Sequence, residues 1–248
     1  MSEDVVIPRL DDRQKIQLSK ALSYILRHGA NKEKLDMTDD GFIKVQEILN
    51  RPKLKTYTFE DIKYVVDTND KQRFNLKQDE DGCWWIRANQ GHSLKTVKVE
   101  LDLIKEPLPI CVHGTYTTNW NSIATQGLKR MSRNHIHFAA GMPGENGVIS
   151  GQWHFVFVRM RKSCDVFIYV DMARAMEGKS LIELINGFAT IRSLTAALSP
   201  SQDGIVFQLS ANQVILSEGI NGVLDPAYFS KVVDREGKPL LTHPSIVT

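Results

Sequence analysis

Cysteine is scarce in this chain. Cys83, Cys111 and Cys164 are the only three in 248 residues, too few for a disulfide framework and too widely spaced for zinc ligands of the paired-cysteine kind. Their scarcity excludes the small stapled secreted domain and implies a reducing compartment. Long apolar runs are missing as well, since none reaches the ~18–20 uninterrupted residues of a membrane span. The opening Met1-Ser2-Glu3-Asp4 is acidic and lacks the basic region and apolar stretch of a targeting signal. A soluble protein of the cytoplasm or nucleus, with no membrane among its partners, is the expectation. A dominant charge is lacking too. Lys and Arg number 31 against 29 Asp and Glu, a formal net charge of +2, so no strong overall field draws in a polyanion and any nucleic acid must meet a local patch. No internal repeat or low-complexity segment is present, and nothing points to an obligate protein partner.

What is present is ample core material. With 42% hydrophobic and 24% charged residues, the chain suits one or two domains, and two compact lobes fit best. Leu18, Ala21, Leu22 and Ile25 fall at i, i+3, i+4 and i+7, which predicts a helix from about Asp12 to His28 with Gly29 as its stop. A second helix is expected over Lys44–Asn50 after the Asp40-Gly41 turn, and a third from Thr58, whose hydroxyl caps while Asp61 answers. Ile62, Val65 and Val66 give that third helix its buried face. From Arg73 the period becomes two: Phe74 and Leu76 alternate with polar residues, Asp81-Gly82 turns, and Trp84 and Ile86 alternate again. Three short helices and a hairpin describe a winged-helix-like lobe, a shape used mostly to hold nucleic acid. Val97–Pro109 reads as a linker or an entry to a second lobe. Beyond it lie strand-like segments, Ile110–Val112, His135–Ala139, Trp153–Val158, Val166–Val170, Ile205–Leu209 and Val214–Leu216, with one helix near Thr118–Gln126. The fold class expected is α+β, residues 1–100 forming the first lobe and residues 101–248 a mainly β second lobe.

Several residues carry chemical potential, each with an ordinary reading beside it. Arg27 and His28 close the first helix, where cations commonly do no more than complement the helix dipole for ~0.3–1 kcal/mol. Lys71-Gln72-Arg73 starts the hairpin, as a solvated basic edge would. Arg130 and Arg133 sit in what reads equally as a basic loop. Gln90-Gly91-His92-Ser93 offers amide, backbone, imidazole and hydroxyl groups suited to phosphate and ribose, as a polar turn also does. His113-Gly114-Thr115 is more pointed, because glycine lets a ligand approach the backbone while His and Thr supply hydrogen bonds. His135 and His137 share one face of a strand. With no further cysteine or carboxylate in motif spacing, no metal is expected there.

Taken in order, these segments form a set. Leu18-Ser19-Lys20-Ala21-Leu22-Ser23-Tyr24-Ile25-Leu26-Arg27-His28, Asp40-Gly41-Phe42, Asn69-Asp70-Lys71-Gln72-Arg73-Phe74, Arg87-Ala88-Asn89-Gln90-Gly91-His92-Ser93, His113-Gly114-Thr115, Ser132-Arg133 with His135-Ile136-His137, and Gly147-Val148-Ile149-Ser150-Gly151 together resemble the RNA 2′-phosphotransferase family, the enzymes that finish tRNA splicing. The resemblance reaches through nearly the whole chain. It implies a winged-helix-like N-terminal lobe that binds the RNA 2′-phosphate and a C-terminal ADP-ribosyltransferase-like lobe that binds NAD⁺. It further implies an Arg27, His28, Arg73, Arg133 tetrad acting on the phosphate of a spliced tRNA, with Lys71, Gln90 and His92 contacting substrate and His113, Gly114, Thr115 and His137 contacting NAD⁺. In the strand Ser210–Leu216, apolar Val214 stands where many ADP-ribosyltransferases carry a glutamate, as in the phosphotransferases.

The implied reaction has two steps. The RNA 2′-phosphate attacks C1″ of the nicotinamide ribose and expels nicotinamide, giving a 2′-phospho-ADP-ribosyl intermediate. The ribose O2″ then attacks that phosphate, releasing 2′-hydroxyl RNA and ADP-ribose 1″,2″-cyclic phosphate. Such a dianion calls for several fixed guanidinium groups. The chain departs from the family pattern at Gln152–Arg159 and Lys179–Gln202, which read as insertions, the second with an amphipathic pattern in Leu181, Ile182, Leu184 and Ile185. Two other readings stay open: a winged-helix binding module with a non-catalytic second lobe, and an ADP-ribosyltransferase acting on protein or nucleic-acid ends.

Overall fold

Asp11 starts the first helix by exchange of hydrogen bonds. Its carboxylate accepts from Gln14 N at 2.7 Å, and Gln14 Oε1 accepts from Asp11 N at 3.1 Å. This capping box satisfies two backbone donors that a helix leaves unpaired, and such a cap is worth ~1 kcal/mol. The computed structural model, which describes residues 10–140, 163–177 and 204–241, carries the helix α1 over Asp12–Tyr24. The chain then widens into a π-helical turn over Ile25–Gly29. The apolar period thus predicts the extent of the helical segment but not its last turn. Gly29 serves differently from a left-handed stop: a Cβ there would stand 2.7 Å from the Tyr24 ring, so the residue must be bare for that ring to lie across the turn.

The rest of the first unit is short elements on one core. β1 (Ile43–Lys44) leads into α2 (Val45–Leu49), and α3 (Phe59–Asp67) starts at the expected capping box of Thr58 and Asp61. The hairpin forms from β2 (Phe74–Gln78) and β3 (Trp84–Ala88), with Leu76 opposite Ile86, and β1 adds to its other side with Ile43 opposite Ile86. Leu18, Leu22, Leu26, Ile48, Ile62, Val65 and Ile86 are fully buried in one cluster, each contributing ~1.5–3 kcal/mol by leaving water. Val66 only packs partly against it.

The second unit is mainly β. In chain order it contains β4 (Asp102–Leu103), β5 (Val112–Thr115), α4 (Thr117–Gln126), β6 (Leu128–Lys129), β7 (Ile136–Phe138), β8 (Val166–Val170), α5 (Met172–Glu177), β9 (Gln208–Leu209), β10 (Ile215–Ser217), β11 (Val223–Leu224), β12 (Phe229–Asp234) and β13 (Pro239–Leu241). One sheet runs β4-β9-β10-β7, another β13-β12-β8-β5, and β11 pairs with β6. Val166–Val170 is a strand as expected. The segment expected at Ile110–Val112 instead begins pairing at Val112 and continues through His113-Gly114-Thr115. The stretch Val97–Pro109 contributes β4, and α5, β12 and β13 were not foreseen. Trp153–Val158, the Gly147–Gly151 motif, both insertions and the expected amphipathic helix lie outside the described residues.

Contacts divide the chain into Met1–Glu100 with Ser132–Asn134, and Leu101–Met131 with His135–Thr248. The chain is therefore α+β. Among the described residues, no helix is long and apolar enough to cross a membrane.

Candidate functional site

The π turn at the end of α1 presents Arg27 and His28, and wide turns of this kind are frequent at functional sites because they redirect side chains. Ser93 fastens the turn. Its N donates to the Arg27 carbonyl at 3.0 Å, and its hydroxyl lies 2.9 Å from His28 Nδ1. Gly91, at φ +89°, brings its backbone flat against the Arg27 side chain, so that a Cβ there would touch Cδ and Nε at 3.4 Å.

Arg73 is set by an asparagine. Asn69 Oδ1 accepts from Lys71 N at 3.2 Å, Arg73 N at 3.4 Å and Arg73 Nη1 at 3.3 Å. One side chain thereby shapes the loop and aims the guanidinium. Gln72 between them adopts φ +41°, and its carbonyl accepts from Asn89 Nδ2 at 2.6 Å. Arg133 arrives on the segment Ser132–Asn134, which counts with the first unit. Asn134 ties that segment down: its N donates to the His92 carbonyl at 3.0 Å and its Nδ2 to the Leu94 carbonyl at 3.1 Å.

Electrostatics show that these groups share one neighbourhood. Burial, followed by the charges of Arg73 and Arg133, pulls Arg27 down to about 10. Its Nε is buried without a hydrogen-bond partner. His28 is held below its ordinary value by partial burial, then by Arg27 and Arg133, and Arg73 is lowered by burial with Asp70 opposing. Three guanidinium groups and an imidazole thus gather where each repels the next. Such an arrangement suits a multiply charged anion that accepts from all of them.

The other residues named from sequence fall as follows. Lys71 lies in the Asn69–Arg73 loop, and Gln90 is partly exposed beside Gly91. His92 is 3% exposed, its ring under Gly41, where a Cβ would stand 3.3 Å from Nε2. In the second unit, His113 Nδ1–H donates to the His137 carbonyl at 2.8 Å, and its ring meets Phe138 edge-on at 6.0 Å. Against a carbonyl, which can only accept, Nδ1 is the donor. Among the described residues, β5 and β7 are the outermost strands of their two sheets, and a bridge at Val112 and Ala139 joins them. Gly114 and buried Thr115 continue β5 beyond it. His135 Nε2 stands 4.0 Å from Glu218. Among the described residues no group of three His, Cys, Asp or Glu is gathered for a metal.

Sequence reading did not single out Asn69 or Asn134, and it read Ser93 only as a hydroxyl suited to phosphate or ribose. Asn69 had a local signal, an asparagine opening a loop, where its short side chain bonds the backbone two residues on. Asn134, and the tie of Ser93 to Arg27 and His28, had none, because the partners lie far away in the chain.

Comparison with known proteins adds a family. The model of the RNA 2′-phosphotransferase, Tpt1 / KptA family matches residues 13–187. The chain is similar to tRNA 2′-phosphotransferase 1 of Danio rerio, 41% identical over 239 residues that cover 94% of this chain and 90% of the relative. It is 41% identical over 231 residues to tRNA 2′-phosphotransferase 1 of Homo sapiens, covering 91% and 78% of the two chains. With tRNA 2′-phosphotransferase of Saccharomyces cerevisiae the identity is 40% over 175 residues, 64% of this chain and 70% of the relative.

Proposed function

The chain belongs to the RNA 2′-phosphotransferase family, and from that membership we propose that it removes the splice-junction 2′-phosphate from tRNA in an NAD⁺-dependent transfer. The observation that carries the reading is Arg27. A guanidinium buried with an unpartnered Nε beside two further arginines is unfavourable in itself and becomes favourable when a phosphate dianion enters.

Arg27, Arg73 and Arg133 grip the 2′-phosphate, and Arg supplies the paired hydrogen bonds that Lys does not. His28, held below its ordinary value by partial burial and then by Arg27 and Arg133, orients the phosphate through the nitrogen that Ser93 leaves available. Lys71 and Gln90 give further contacts to the RNA. His92, named from sequence as a substrate contact, is buried, and its carbonyl accepts from Asn134 N and so supports the segment that carries Arg133. We read the first unit as a winged-helix-like RNA-binding lobe and the second as an ADP-ribosyltransferase-like lobe.

The residues of β5 fit NAD⁺. His113 is oriented by its bond to the His137 carbonyl, and Gly114 adds no bulk beside it. His113, Gly114, Thr115 and His137 would hold the dinucleotide. NAD⁺ supplies the ribose that accepts the phosphate as nicotinamide leaves. Val214, 6% exposed, offers no carboxylate at the position that glutamate-dependent ADP-ribosyltransferases use, which favours phosphate removal over protein modification.

Incubation with NAD⁺ and an RNA bearing one internal 2′-phosphate tests the reading. Release of ADP-ribose 1″,2″-cyclic phosphate is expected, while a stable ADP-ribosylated product or no NAD⁺ consumption would overturn it. Because a charge-assisted hydrogen bond is worth ~1.5–3 kcal/mol, Arg133→Ala should slow single turnover by tens- to hundreds-fold, and Arg133→Lys should restore little. A folded Arg133→Ala enzyme with wild-type rates would remove Arg133 from the clamp.

A further inference from the structure

A groove of about 620 Å³ runs between the exposed side of α1 and the Asn69–Arg73 loop. Buried Val65 of the core lines it as well, and no role assigned above uses its length. Ser19 and Ser23, four residues apart on α1, line it as small side chains where longer ones would close it. Lys15 and Lys20 rise from α1, and Lys71 and Arg73 from the loop opposite. Against these four cations stand the carboxylates of Asp12 and Asp70, so one groove holds an excess equal to the +2 of the entire chain. This is the local basic patch that the near-neutral composition demands of a nucleic-acid binder.

Two details favour a ribose-phosphate chain as the occupant. Lys15, which lines the groove, lies with its Nζ 5.2 Å from the centre of the Tyr64 ring, a contact that restrains a long side chain. Ile16, 54% exposed, gives the same wall an apolar spot against which a sugar or base can rest. A polyanion with apolar faces matches this mixture better than an acidic peptide does.

The groove also shares Arg73 with the cationic cluster. An internal 2′-phosphate belongs to a strand that continues in both directions, so the backbone must leave the clamp along the protein surface. We propose that this groove carries the ribose-phosphate backbone of the nucleotides adjoining the 2′-phosphorylated one, with Lys15 and Lys20 as phosphate contacts and Ser19 and Ser23 keeping the track open. The proposal rests on the phosphotransferase reading. The groove is a sequence-independent RNA track that sets affinity for longer substrates.

The test compares two RNAs carrying one 2′-phosphate each, one trimmed to the minimal internal linkage and one extended on both sides, as kcat/KM over a range of salt concentrations. On the extended RNA, Lys15→Ala with Lys20→Ala should lower kcat/KM about tenfold through KM, and its salt dependence should be shallower than wild type by about 1.4, the single-strand value for two lost phosphate contacts. On the minimal RNA the loss should stay below about twofold, as no contact beyond the clamp is available there. Ser19→Leu keeps every charge and favours the helix, so it should weaken use of the extended RNA without altering the salt slope. Equal losses on both RNAs, or no loss on either, would overturn the track. A wild-type protein that releases no 2′-phosphate from either RNA would defeat the phosphotransferase reading and the groove with it, whereas failure of the groove alone requires an active wild type.

Discussion

At the scale of single residues, Arg27 carries a cost that only a ligand removes. Its folded value lies below the ordinary guanidinium range, at about 10, so the unfolded chain holds that proton more tightly. The cost is complete below about pH 10 and fades as pH rises towards the unfolded value. At neutral pH it is on the order of 3 kcal/mol. Arg27→Met should therefore melt higher than wild type in anion-free buffer, by several degrees, and should lose the further rise that inorganic phosphate gives the wild type. A Met variant that melts lower in anion-free buffer would sink this account. Arg27, His28, Arg73 and Arg133 were nameable from sequence because each falls in a motif that the chain shares with a family. Asn69 was not singled out, and Ser93 was read as a ligand contact and not as the partner of His28, since their effect passes through Arg73 and His28 and leaves no periodic signature.

At the scale of elements, the π turn is the feature that sequence pattern conceals. Leu18, Ala21, Leu22 and Ile25 satisfy the α-helical period, and that period cannot report one extra residue in a single final turn. Gly91 is the companion of this turn. At φ +89° an alanine is strained, and its Cβ would meet the Arg27 side chain at 3.4 Å, a distance that is itself tolerable. Strain rather than collision should decide, at ~1–2 kcal/mol. Gly91→Ala is expected to lower the urea midpoint accordingly, and an unchanged midpoint would show that the backbone conformation there is not required. Two-residue strands such as β1, β4, β6 and β11 escaped the sequence reading because alternation needs about four residues to register. By contrast β8, an apolar run of five residues, was legible end to end.

At the scale of the whole molecule, mixed helix and sheet was legible from the change of period after Arg73. Less legible was the division of the chain, because Ser132–Asn134 counts with a unit whose remaining residues end at Glu100. A cut at a linker cannot see a short segment held by the hydrogen bonds of Asn134. The three cysteines offer a check on integrity. Cys83 is exposed, whereas Cys111 and Cys164 are 2% exposed, and burial pushes the Cys111 thiol well up. A thiol reagent should find one fast-reacting group in the native protein and three in denaturant, and rapid reaction of all three under native conditions would contradict the packing. The crowding of Arg27, Arg73 and Arg133 finally bears on turnover. In the proposed reaction the RNA departs without the charged group that had held these cations together. Mutual repulsion returns at that moment, so the chemistry itself weakens the hold on its product. Spliced tRNA bearing a plain 2′-hydroxyl then competes poorly with tRNA still awaiting repair.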